Sequence, residues 1–130
     1  MNSDRLPAEL PITLNSACAL SVECWRLRRL AEQMMDTNAG ASLRHAVRCI
    51  THTLLQMEIE VVDFAGRAYD PGMAPVVVEV REDQDLVDRH AIIEETIAPT
   101  VLWRGLVVRP GQVIVRQAST KSEGSAGVDA

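Results

Sequence analysis

The chain has 130 residues, the size of one domain, with 13 Lys plus Arg against 18 Asp plus Glu and a formal net charge of −5. That balance argues against a generic nucleic-acid binder, which needs a basic surface to displace counterions, and against a protein held on anionic lipid. Hydrophobic residues make up 47% and aromatics only 3%, so the composition predicts an aliphatic core without a platform for stacking bases.

Residues 1–15 read as a flexible lead-in, punctuated by Pro7 and Pro11. Asp4 and Glu9 lie where a secretion signal would carry positive charge, and no apolar run reaches the ~18 residues of a membrane span. Cys18, Cys24 and Cys49 form neither an even framework nor a CxxC pair, which predicts reduced thiols in the cytoplasm.

Composition then divides the chain. Nine of its twelve leucines lie at or before residue 60, and thirteen of its fifteen valines lie after it. Leu suits a helix, whereas β-branched Val suits a pleated surface, so the forecast is helices first and strands second, an α+β fold. A first helix is expected from Ser16 to Asp36, with Leu20, Cys24, Leu27, Ala31 and Met34 spaced four and three apart on one face. Asp36-Thr37-Asn38-Ala39-Gly40 should stop it, with Asn and Gly supplying left-handed backbone. Ser42 is the expected N-cap of a second helix running to Glu58, whose stripe is Leu43, Val47, Ile50, Leu54 and Met57.

Two matched stripes joined by a short turn predict an antiparallel helical hairpin over residues 16–60. Trp25, Leu30, Met35, Ala46 and Leu55 form second apolar sets that one hairpin cannot cover. Two-fold pairing into a four-helix bundle would cover them, so the ten stripe residues are assigned to a homodimer interface. Packing of the hairpin on the chain's own β part is the alternative.

Residues 61–117 predict a small, mostly antiparallel β-domain, with strands near Val61–Phe64, Pro75–Arg81, Ala91–Ile97, Val101–Trp103, Leu106–Arg109 and Val113–Arg116. Turns are expected at Asp70-Pro71-Gly72, over the acidic stretch Glu82 to Asp88, and at Ala98-Pro99-Thr100, Arg104-Gly105 and Pro110-Gly111. From Ala118 to Ala130 the chain is small and polar, and a disordered tail is expected.

Signals of chemistry are weak. His45, Cys49 and His52 share one helix face, but three ligands on one helix rarely close a tetrahedron unaided, so no metal is expected. Glu94 and Glu95 are adjacent, hence on opposite faces of a strand, and cannot work as a carboxylate pair. The acidic run Glu79, Glu82, Asp83, Asp85, Asp88 reads first as a solvated loop and second as a contact for a basic partner. Trp103 and Arg104, at a hairpin tip, belong to residue types enriched at interface hot spots. No phosphate loop, GxSxG or nucleophile–His signature is present, so the expectation is a binding protein without cofactor rather than an enzyme.

Two segments carry a resemblance. Ala68-Tyr69-Asp70-Pro71-Gly72-Met73, followed much later by Val108-Arg109-Pro110-Gly111-Gln112-Val113-Ile114-Val115, is similar to the GrpE family of nucleotide exchange factors for DnaK-class chaperones. Leu54 to Val62 resembles that family's passage from the last bundle helix into the first strand, and Ile93-Glu94-Glu95-Thr96-Ile97 falls at a matching β segment. The order helix, turn, helix, Asp-Pro, strands, Arg-Pro is also the family's order. The chain departs from it in leaving no room for a long N-terminal helical stalk, in carrying Ala74 and Val76 where His or Met and Ala are usual, and in lacking a Gly-aromatic pair near Thr100-Val101. The resemblance implies a short, divergent member: a homodimer on a four-helix bundle, with a β-domain that engages a DnaK-class ATPase domain. It places partner contacts at Met73, Ile97, Trp103, Arg104, Arg109 and Val115. An adaptor that keeps the scaffold but serves a different partner is the alternative.

Overall fold

The computed structural model describes residues 6–86 and 90–119. Two helices precede six strands, which form two small sheets, so the fold is α+β. Helix α1 spans Leu14–Gln33 and α2 spans Asn38–Gln56. The strands are β1 (Ile59–Val62), β2 (Val76–Asp83), β3 (Ile92–Ala98), β4 (Thr100–Trp103), β5 (Leu106–Arg109) and β6 (Gln112–Ala118).

Both helices start on a threonine. The Thr13 hydroxyl accepts the Ser16 N–H at 3.1 Å, and the Thr37 hydroxyl accepts the Gly40 N–H at 2.9 Å, each satisfying a donor the helix itself cannot pair. The second cap corrects the expectation of Ser42, which lies inside α2. The reason is steric. Gly40 is helical rather than left-handed, and a Cβ there would stand 1.8 Å from the Met34 carbonyl oxygen. Its missing side chain lets α2 begin directly against the end of α1, so residues 34–37 suffice for the turn. The helices then touch along their length. Met34 meets Gly40 at the connected end, the Cys24 thiol lies 3.8 Å from the Val47 carbonyl midway, and Leu20 lies beside Leu54 and Met57 at the far end.

α2 leads into β1 through Glu58, which takes a left-handed φ of 63°. One sheet has the order β1-β4-β5, antiparallel throughout, and the helical pair packs on it. Their shared core holds Ala17, Cys18, Val22, Cys24, Val47, Leu54, Ile59 and Val101. The other sheet has the order β2-β6-β3, in which β3 runs antiparallel to β6 but β2 runs parallel to it. Its core is Ile93, Val113 and Val115, covered by Phe64, Tyr69 and Met73 from the segment after β1. Glu82 and Asp83 extend β2 where a turn was expected, because both pair in register with β6.

The chain changes sheets three times, from β1 to β2, from β3 to β4 and from β5 to β6, and the last two crossings touch. Ala98-Pro99-Thr100 leads from β3 into β4, and Pro110-Gly111 leads from β5 into β6. The Thr100 hydroxyl donates to the Pro110 carbonyl at 2.8 Å. Gly111 has φ 74°, and a Cβ there would lie 2.8 Å from the Thr100 nitrogen. The Arg-Pro-Gly segment is thus a corner that only glycine lets close. The expected tail from 118 is partly ordered: Ala118 completes β6 and Ser119 is buried, while residues 120–130 lie outside the described residues. Asp88 of the acidic run also lies outside them.

Candidate partner-binding surface

The six residues expected to meet a partner fall in four places. Trp103 and Arg104 stand together at the β4–β5 turn, where Arg104 (φ 52°) and Gly105 (φ 77°) both adopt the left-handed backbone of a two-residue hairpin. The Trp103 ring is half-buried on the first core, with the Arg104 guanidinium 4.5 Å above its centroid. Arg104 also reaches back to Glu58, its Nε donating to the carboxylate at 2.8 Å and its backbone N–H to the Glu58 carbonyl at 3.0 Å. Arg109, at the other end of β5, donates to the Asn15 side-chain oxygen at 2.7 Å and so ties the sheet corner to the start of α1.

Met73 and Val115 belong to the second core. Met73 is half-buried, and its sulfur accepts the Asp70 N–H at 3.3 Å inside the Asp-Pro turn, where the Asp70 carboxylate also accepts the Gly72 N–H at 3.0 Å. Val115 is only 2% exposed, which leaves it no surface for a partner. It fills the core because three successive residues of the central strand, Val113, Ile114 and Val115, are all buried. Ile97, near the end of β3, is exposed.

The ten stripe residues divide similarly. Cys24, Ala31, Val47 and Leu54 are buried within one copy, so they are consumed by the chain's own packing rather than left for a second copy. Leu20 and Leu27 are exposed, and Met34, Leu43, Ile50 and Met57 are half-buried. Leu20, Cys49, Ile50, Thr53, Leu54 and Met57 line an open apolar groove of about 330 Å³ between the helices. A narrower recess of about 220 Å³, bounded by Trp25, Leu54 and Ile59, opens where α1, α2 and β1 meet.

A polar joint that sequence patterns did not mark connects α1 to both β regions. Asp63, just after β1, accepts the Trp25 Nε1–H at 3.2 Å, the Thr96 hydroxyl at 2.6 Å and the Ala65 N–H at 3.0 Å. Arg29 lies 4.7 Å over the Trp25 ring and donates to the Thr96 carbonyl at 3.2 Å. Burial pushes the Asp63 carboxyl up, but those three hydrogen bonds and the Arg29 charge together hold it below the ordinary aspartate value. On the outer sheet, Glu94 pairs with Arg116 and, at 3.4 Å, with Arg81. Arg116 pairs again with Asp83 at 3.6 Å, and Arg81 with Glu79 at 2.8 Å. The hydrogen bond from Arg116 is the main reason the Glu94 carboxyl is lowered. Glu79 and Asp83 of the acidic run therefore have basic neighbours of their own.

His45 and Cys49 approach to 3.7 Å, but His52 turns to Gln56 at 3.3 Å. Among the described residues no group of three or more His, Cys, Asp or Glu side chains is placed to hold a metal ion. Among the same residues no helix is long and apolar enough to cross a membrane. No family model matches the chain, and no curated protein is significantly similar to it.

Proposed function

We propose that this chain is a GrpE-like co-chaperone that binds the ATPase domain of a DnaK-class chaperone and promotes ADP release. The observation that carries the reading is the two-part build: a helical pair with an apolar groove left open along one side, joined to a β unit of two three-stranded sheets. The groove suits pairing of two hairpins into a four-helix bundle through Leu20, Ile50 and Met57, with Leu27 also exposed on α1, which leaves the β2-β6-β3 sheet of each copy outside the helical core. The Asp-Pro and Arg-Pro-Gly segments that carry the sequence resemblance are structural corners of that unit, so the resemblance lies where the architecture needs it.

Exchange needs no bond-making residue. A partner that binds the open form of a nucleotide cleft more tightly than the closed form shifts the population toward open and weakens ADP binding by the same coupling. The candidate contacts are Ile97, Trp103 and Arg104, with Met73 in the Asp-Pro turn and Arg109 at the far end of β5. The purified chain should accelerate release of labelled ADP from a DnaK-class chaperone. No acceleration at saturating protein overturns the reading.

One observation favours a second reading. Val115 is buried, and Arg104 and Arg109 are engaged by Glu58 and Asn15 of their own chain. An adaptor that retains the dimeric scaffold and recruits a different partner needs none of them free. Binding to the chaperone without faster ADP release, or recovery of another protein as the main bound species, identifies this case.

A further inference from the structure

We infer that two copies of this chain share one zinc ion, held by His45 and Cys49 of each copy. The inference rests on the pairing of hairpins proposed above and not on the exchange activity.

Half of the site is already shaped within one chain. His45 and Cys49 lie one turn apart on α2, and both are exposed. Helical residues four apart stand over one another, and here the His45 Nε2 and Cys49 Sγ atoms are 3.7 Å apart. Zinc at about 2.3 Å from sulfur and about 2.0–2.1 Å from nitrogen, with a tetrahedral angle between them, sets those atoms roughly 3.6 Å apart. The pair therefore spans one edge of a zinc tetrahedron almost unmoved. One chain goes no further: His52 turns to Gln56 at 3.3 Å, and among the described residues no third His, Cys, Asp or Glu joins the pair. A structural zinc takes four ligands, so two must come from another molecule.

The same helix face indicates which molecule. Cys49 lines the apolar groove together with Ile50, Thr53 and Met57. Ser42, Ala46, Cys49 and Thr53 recur at helical spacing and are all exposed, so small side chains flank the pair and let a second helix approach closely. A two-fold interface sets residues near its axis against their own copies. Where two α2 helices cross antiparallel between His45 and Cys49, the His45 of each copy meets the Cys49 of the other and a Cys2His2 set closes. Any other partner must bring two ligands of its own, whereas a second copy supplies them by symmetry. Charge agrees with the surroundings. Each Cys49 thiol gives up its proton on binding and each His45 binds as the neutral ring, so two thiolates cancel the charge of Zn2+ beside an apolar groove.

The test is titration of the reduced, metal-stripped full chain with zinc alone, read by calorimetry and sedimentation, with cobalt as a spectroscopic substitute. Expected are one zinc per two chains, about two protons released per zinc near neutral pH, the mass of a dimer, and tetrahedral, thiolate-bound cobalt absorption. Cys49→Ala and His45→Ala each remove two of the four ligands. Each should weaken zinc binding by more than the roughly 10–100-fold that loss of an outer-shell partner costs, with the helical signal kept because both positions are exposed. His52→Ala should bind zinc as the wild type does. The site is overturned by no zinc binding, by one zinc per chain, by affinity that survives Cys49→Ala, or by affinity that falls with His52→Ala. A dimer that takes no zinc overturns the site and leaves the pairing. A chain that stays monomeric with and without zinc overturns both. A shared zinc with unaltered ADP release supports the site and overturns the exchange reading alone.

Discussion

Asp63 shows how much one side chain holds in a chain with so few aromatics. Its carboxylate satisfies the buried Trp25 indole and the Thr96 hydroxyl at once, so α1, the exit of β1 and β3 are fastened at one point. Asp63→Ala would leave both donors unpaired and is expected to cost about 1–3 kcal/mol in urea unfolding. Because the folded carboxyl is held below its ordinary value, its contribution is complete above the unfolded aspartate value and is lost as pH falls through the lowered one. The stability gap between wild type and Asp63→Asn should therefore be widest near neutrality and shrink below about pH 4. A gap that is constant across that range would show that Asp63 acts by shape alone. Gly40 is a second such residue. Gly40→Ala places a methyl group against the Met34 carbonyl and is expected to destabilise by about 1–3 kcal/mol or more, read by the same unfolding, although alanine is the better helix former.

At the scale of elements, the decisive features are the last two sheet-to-sheet crossings, β3 to β4 and β5 to β6. Thr100 and Gly111 pack against each other, and Gly111 has both a left-handed φ and no room for a Cβ. Gly111→Ala should cost about 2 kcal/mol or more by combining backbone strain with overpacking, and should lower the thermal midpoint. At the β4–β5 turn, Arg104 is held by exposed contacts, and an exposed ion pair is worth little. Arg104→Ala should thus change stability by less than about 1 kcal/mol. If Arg104 is a partner contact, that variant weakens chaperone binding far more than it weakens the fold, which a titration beside a melting curve would separate. Glu58, required in left-handed backbone at the end of α2, was invisible to helix-stop rules that look for Gly or Asn.

For the whole molecule, the open groove between the helices is the surface on which the proposed helical pairing depends. Leu20→Asp together with Ile50→Asp places charge along the groove. If the bundle forms as proposed, sedimentation should report half the mass of the wild-type assembly contributed by that face, with the helical signal retained. Unchanged mass would remove the helical dimer.

Order and type of the elements were legible in the residues because they follow local rules. Leu at helical spacing and Val on pleated segments announced two helices followed by six strands, with boundaries off by a few residues. What local pattern could not decide was which apolar face meets which. Four of the ten residues of the helical stripe that looked available for a second copy, Cys24, Ala31, Val47 and Leu54, are spent inside the first. Val115 looked like a contact on motif position and is core. The parallel pairing of β2 with β6, the meeting of Thr100 with Gly111, and the convergence of Trp25, Asp63 and Thr96 each join residues far apart in the chain. Propensity and periodicity act over a few residues, whereas packing and hydrogen-bond satisfaction act across space. The first set determined the elements of this protein, and the second decided which of their residues remain outside to act.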